Sequence, residues 1–302
     1  MSVVHVKNLK KSFKKYEVIK GLDFELMNEK CIALLGANGA GKTTTLQMLS
    51  GLMKPTSGEI LFTDTGEGED FRHLIGYLPQ HPVFYDWMTG KEFLEYAGKL
   101  SGLSSKESKQ RALELLGLVG IEEAKNRRIG KYSGGMKQRL GIAQAIIHRP
   151  KLVILDEPVS ALDPFGRREV LELMGRLKKE TAILFSTHIL NDAEEVCDEI
   201  LFLHNGRLVE SGTMEQLRDK HQQAKIDLVF RGSADCYIEQ LTAVVKVHSY
   251  LIEGSKISFF VEDIELAKTG FLKVIADKNL PLVKFEISRT SLEEVFMKVV
   301  EK

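Results

Sequence analysis

Residues Gly36–Thr43 read GANGAGKT, between an apolar run, Cys31–Leu35, and a helix-like stretch, Thr44–Leu49. A buried strand that turns through glycines straight into a helix belongs to an α/β sheet whose strands present their loops on one edge. The spacing G-x-x-x-x-G-K-[ST] adds chemistry to that geometry. Gly36, Gly39 and Gly41 let backbone N–H groups curl around an anion, and the helix N-terminus adds its positive end. Lys42 supplies a point charge for β- and γ-phosphates, and Thr43 a hydroxyl for Mg²⁺. The bland alternative is a Gly-rich turn; the flanking strand and helix argue against it.

Other strands end in polar residues. Lys151–Leu155 (KLVIL) runs into Asp156-Glu157-Pro158. In a parallel sheet, ligands sit beyond the carboxyl ends of strands. Asp156 there suits Mg²⁺, which wants oxygen ligands, and Glu157 is placed to take a proton from an attacking water. A lone acidic pair would instead be an N-cap after a buried strand. Thr181–Ser186 (TAILFS) ends in Thr187-His188, and His188 is expected to hydrogen-bond a γ-phosphate or to orient the water. The other seven of the eight histidines lack such a placement and read as surface or core residues. In KYSGGMKQR, Lys131–Arg139, Ser133 can cap a helix whose first residues, Gly134 and Gly135, leave bare N–H groups at its positive end. That is a second phosphate-binding surface on one chain. A head-to-tail dimer uses both, each nucleotide lying between one loop and the other subunit's SGG turn.

The order of these motifs resembles the ATP-binding subunit of an ABC transporter, over nearly all of residues 1 to about 220. GANGAGKTT resembles Walker A, so Asn38 and Thr44 join Gly36, Gly39, Gly41, Lys42 and Thr43 as expected nucleotide contacts. IGYLPQ resembles the Q-loop, whose glutamine, here Gln80, senses Mg²⁺ and the water. YSGGMKQR resembles the signature, LVILDEP Walker B with Glu157 as catalytic carboxylate, SALD at Ser160–Asp163 the D-loop, and STH the switch histidine. Phe13 aligns best with the aromatic that stacks on adenine, with Tyr16 as the alternative; a strand-end core aromatic is the plain reading of Phe13. Met136 stands where many members have glutamine. Val159 and Ala161 also depart from commoner residues, and none of these changes removes a catalytic atom. The resemblance implies ATP and Mg²⁺ as ligands, a polytopic membrane permease as partner, and a second ATP-binding subunit, with a homodimer as the expectation. Among members, the ending SLEEVF is most like exporters of the second type, which move drugs, antibiotics, polysaccharides or ions.

Composition agrees. The formal net charge is +0, from 42 basic and 42 acidic residues, which argues against a nucleic-acid binder. The chain has no run of eighteen apolar residues and no charged-then-apolar start, so it is expected neither to span a membrane nor to carry a signal peptide. Three scattered cysteines, Cys31, Cys197 and Cys236, suit a reducing compartment. With the permease that the resemblance implies as partner, the expected place is peripheral, on the cytoplasmic face of the cell membrane. A soluble ABC ATPase acting on ribosome or DNA, an importer's ATPase, and an unrelated phosphate-loop kinase or GTPase are the rival readings. The single Walker A, the absence of a heptad run, and the SGG and DEP–SALD order speak against the first and last of them.

The fold expectation is α/β, a P-loop NTPase core of the ABC type with a helical subdomain, followed by a small α+β, ferredoxin-like domain. Residues 1–220 form the ATPase, with helices over about 81–150 that include a signature helix reaching Ile146 and Ile147. Residues 221–302 form the accessory domain, from a strand, short helix, two strands, helix and strand, with Val245 and Val247 opening the second strand. A terminal helix is expected from a capping box, Thr290 with Glu293, and an apolar stripe of Leu292, Val295, Phe296, Val299 and Val300. Between Gln80 and the helices, Phe84, Tyr85, Trp87 and Met88 offer either a groove for a permease helix or packing within the helical subdomain.

Overall fold

CIALL, LVILD and AILFST are buried at every residue, so each must lie inside a sheet covered on both faces. The computed structural model describes residues 1–66, 69–160, 162–221 and 224–288. It divides into two compact units, Met1–Met214 and Glu215–Lys302.

The first unit begins with β1 (Ser2–Phe13), β2 (Tyr16–Met27), β3 (Cys31–Leu35), α1 (Lys42–Leu49), β4 (Ser57–Phe62) and β5 (Ile75–Leu78). Three helices follow: α2 (Gly90–Leu100), α3 (Ser105–Leu118) and α4 (Gly134–Ala145). Then come β6 (Leu152–Asp156), α5 (Pro164–Leu177), β7 (Ala182–Thr187), α6 (Leu190–Val196), β8 (Glu199–His204) and β9 (Arg207–Thr213); α7 (Met214–His221) starts at the boundary and lies in the second unit but for its first residue. The main sheet has the order β5-β6-β7-β3-β8-β9, parallel from β5 through β8, with β9 antiparallel on its edge. A second, antiparallel sheet has the order β2-β1-β4. One core joins Val4, Leu22 and Phe62 of that sheet, Leu46 and Leu49 of α1, and Ile32, Ile154 and Leu184 of the main sheet.

The helices start where capping chemistry lets them. Thr89 and Glu92 close a capping box on α2, and Ser104 and Glu107 another on α3. The signature helix is shorter than its apolar spacing suggests. It stops at Ala145, with Ile146 as its C-cap and Ile147 beyond the end. Arg149 adopts φ +56° ahead of Pro150, a left-handed turn that leaves the helical path. Here α4 meets β5 at backbone contact: a Cβ on Gly76 would lie 1.9 Å from the Ala145 carbonyl oxygen. Gly76→Ala is expected to cost about 2–3 kcal/mol in urea unfolding, since backbone on both sides must part. An unchanged midpoint would show that the helix end gives way freely.

The second unit holds β10 (Ala224–Phe230), α8 (Ile238–Thr242), β11 (Val247–Glu253), β12 (Lys256–Val261), α9 (Ile264–Asp277) and β13 (Leu282–Ser288). Its sheet, β11-β12-β10-β13, is antiparallel throughout, the ferredoxin-like order. Val245 lies ahead of β11 and packs in the core with Leu241, Phe259 and Phe271. Ala161 and the terminal helix with its capping box and stripe lie outside the described residues.

Candidate functional site

Strand order decides which loops share an edge. β5, β6, β7 and β3 are successive neighbours, and all run in one direction. Their carboxyl ends therefore deliver Gln80, Asp156-Glu157, Thr187-His188 and the Gly36–Thr43 loop to one edge of the sheet.

The glycine loop has the backbone such a site needs. Gly39 and Gly41 have φ +81° and +108°, a region costly for side chains. A Cβ on Gly36 would come within 2.4 Å of the Leu203 carbonyl oxygen, and one on Gly41 within 2.5 Å of Ile19 Cδ1. A Cβ on Gly39 would meet nothing within 4 Å, so space is open over the middle of the loop. Lys42 is only 6% exposed, and its Nζ donates to the Gly36 carbonyl at 2.8 Å. The same ammonium lies 3.4 Å from Glu157 Oε1, and Glu157 is 7% exposed. This donor set, with α1 starting at Lys42, fits a polyphosphate.

Glu157 stands at φ +50° just past the end of β6. That kink turns its carboxylate back to Lys42. Its Oε2 accepts from His188 Nδ1 at 2.8 Å; a carboxylate only accepts, so Nδ1 carries the proton. Ser186 joins the two carboxylate residues. Its hydroxyl donates to Asp156 Oδ1 at 2.6 Å and accepts from the Glu157 backbone N–H at 2.9 Å. Burial, with the Asp156 charge added, pushes the Tyr77 hydroxyl up to about 12. The negative field of Asp156 thus reaches the neighbouring strand.

Ser186 carries a load the motif pattern did not announce. The available signal was a hydroxyl at the end of an otherwise apolar strand, directly opposite Asp156 in the parallel register.

Among the described residues, the other expected residues make no hydrogen bond to this cluster. Ser133 caps α4, its Oγ accepting from the Met136 N–H at 3.2 Å, with Gly134 and Gly135 in the first turn. Asp163 caps α5, accepting from the Gly166 N–H at 2.7 Å. Among the described residues no hydrogen bond or ion pair links the Ser133–Gly135 turn to the Gly36–Thr43 loop. Asn38, Thr43 and Gln80 are exposed, and Thr44 is half-buried. Phe13 ends β1 opposite Tyr16 and is 46% exposed, so it is no core aromatic. The Lys11 ammonium lies 5.1 Å from its ring centroid.

The aromatic cluster after Gln80 splits in two. Phe84 packs edge-on against Phe93 at 5.1 Å between centroids. Tyr85 and Trp87 turn outward, Trp87 69% exposed, and Tyr85 lies near Tyr96.

Three comparisons bear on this geometry. A family model described as "ABC transporter" matches residues 19–160, and one described as "ATP-binding protein DrrA1-3-like, C-terminal domain" matches 212–300. An uncharacterized ABC transporter ATP-binding protein, YxlF of Bacillus subtilis, is 46% identical over 298 residues, covering 99% of each chain. The bacitracin transport ATP-binding protein BcrA of Bacillus licheniformis is 31% identical over 315 residues, covering 99% of this chain and 97% of its own. Among solved structures, a dimeric post-hydrolysis ATP-binding cassette bound to ADP and Pi superposes with TM-score 0.63 at 26% identity, over 70% of this chain and 98% of that one.

Proposed function

Because the chain belongs to the ATP-binding subunits of ABC transporters, we propose that it is one of two identical ATPases on the cytoplasmic face of a membrane, driving small-molecule export through a separate permease. The subunit binds and hydrolyses ATP and powers a permease partner. The observation that carries the mechanism is the buried Lys42–Glu157–His188 cluster.

ATP lies with its phosphates over the Gly36–Thr43 loop, within reach of Asn38 and Thr44, and with its adenine on Phe13. Lys42 leaves Glu157 and meets the β- and γ-oxygens. Glu157 then takes a proton from the attacking water as oxygen bonds to the γ-phosphorus and the bond to ADP breaks. His188, held on Glu157, orients that water or the γ-phosphate. Mg²⁺, held by Thr43 and Asp156 with Gln80 beside it, would neutralise charge developing on the phosphate oxygens. Ser133, Gly134 and Gly135 of the second copy cover the γ-phosphate, with Asp163 beside them. ATP closes the dimer and hydrolysis reopens it.

The ending SLEEVF, which resembles exporters of the second type, supports export, and the likeness to a protein whose name includes bacitracin transport supports a small-molecule cargo. Residues 1–220 are the ATPase in this reading, with its helical subdomain over about 81–150, and 221–302 the accessory domain. Exposed Trp87 and Tyr85, with Tyr96 beside them, suit a permease helix laid in the groove. Among the described residues no helix is long and apolar enough to cross a membrane.

A tagged chain purified from detergent-solubilised membranes is expected to bring down a polytopic membrane protein in stoichiometric amount. Ribosomal proteins or DNA in its place would overturn the transport reading and leave the site chemistry standing.

A further inference from the structure

Beyond Lys42, Glu157 and His188, one ion pair of this unit reaches the same loop from another direction. Arg167 projects from the first turns of α5, just after the Asp163 cap. Its Nε and a terminal guanidinium nitrogen each lie 2.5 Å from Asp192 Oδ1 on α6. Asp192 has a side chain only 1% exposed. A carboxylate that deep is costly without a counter-charge, and Arg167 is the one that meets it.

The other oxygen of Asp192 faces the switch loop. Thr187 Oγ1 donates to Asp192 Oδ2 at 3.4 Å and accepts from the Ile189 N–H at 3.0 Å. Thr187 and Ile189 flank His188 on either side. The hydroxyl thus closes the turn whose middle residue bonds Glu157 at 2.8 Å.

We infer that Arg167 and Asp192 are positioning residues for hydrolysis: their ion pair ties the start of α5 to the turn carrying His188, and so holds His188 on Glu157. Neither residue touches a reacting atom. Arg167 neutralises Asp192, Asp192 fixes the Thr187 hydroxyl, and that hydroxyl sets the 187–189 backbone. Burial pushes the Asp192 carboxyl up, and the Arg167 guanidinium opposes part of the rise. Because α5 begins just after the Asp163 cap, a partner pressing on that cap acts on the His188 turn through the same pair. The inference rests on the hydrolytic reading given above.

The test is steady-state ATP hydrolysis of the full chain with Mg²⁺, alongside nucleotide affinity and thermal melting. Arg167→Ala is expected to lower kcat about 10–100-fold, with KM for ATP within about twofold, since displacing an orienting group costs turnover rather than binding. Arg167→Lys should recover much of kcat, and Arg167→Ala/Asp192→Asn should be no slower than the slower single variant. A purely structural pair would instead lower activity only in step with the folded fraction. That result, or additive losses in the double variant, overturns the inference. Glu157→Gln separates the levels. Wild type active, Glu157→Gln dead and Arg167→Ala at full rate sinks only the positioning role. A folded wild type without ATPase activity sinks the hydrolytic reading itself.

Discussion

Glu157→Gln is expected to bind ATP at least as tightly as the wild type and to hydrolyse it about 10²–10⁴ times more slowly, the range that one general base supplies. Glutamine has nearly the shape of glutamate and still accepts a hydrogen bond from His188 Nδ1, so the site should keep its form. What it loses is a basic oxygen for the water's proton. The nucleotide should then accumulate in a closed dimer, visible as an ATP-dependent shift in size-exclusion elution that fails to relax. The control is the buried Lys42, whose carboxylate partner at 3.4 Å is gone in this variant. Breaking a buried pair costs about 3–5 kcal/mol when it strands a charge, so melting of the ATP-free variant should fall and ATP should restore it. Hydrolysis at the wild-type rate would remove Glu157 from the role of base.

Ser133→Asp should abolish ATP-driven dimerisation and lower turnover by roughly two orders of magnitude or more, while a single subunit binds ATP as before. Aspartate is as good an N-cap as serine, so the bond to the Met136 N–H and the start of α4 survive. In the proposed dimer, however, the new charge would face the γ-phosphate of the other subunit's nucleotide. Ser133→Arg should block closure by bulk instead, and it also gives up about 1 kcal/mol of cap. Dimerisation by ATP in either variant would mean that the SGG turn is not the second phosphate surface.

The loops that share one edge of the sheet were legible because each follows a run of buried residues. Cys31–Leu35 points to Gly36, and Leu152–Leu155 points to Asp156 and Glu157. What joins them was not legible. Ser186 meets Asp156 across 30 residues of chain, and Arg167 meets Asp192 across 25. Such pairs follow from strand register and helix placement, which no local pattern encodes. The apolar spacing through Ile147 overran α4 because hydrophobic period says which face is buried, not where the helix stops. Phe84 and Trp87, three residues apart in one loop, could not be sorted into inward and outward without a fold.

The Lys42–Glu157 contact makes the loop a receptor that already holds a surrogate anion of its own. Any incoming anion must evict that carboxylate before it can claim the lysine. A lone phosphate or sulfate, bringing little beyond its charge, gains hardly anything by the exchange. A triphosphate brings backbone contacts along the whole loop, and so clears the threshold. The resting protein thus favours the ligand that offers the most grips.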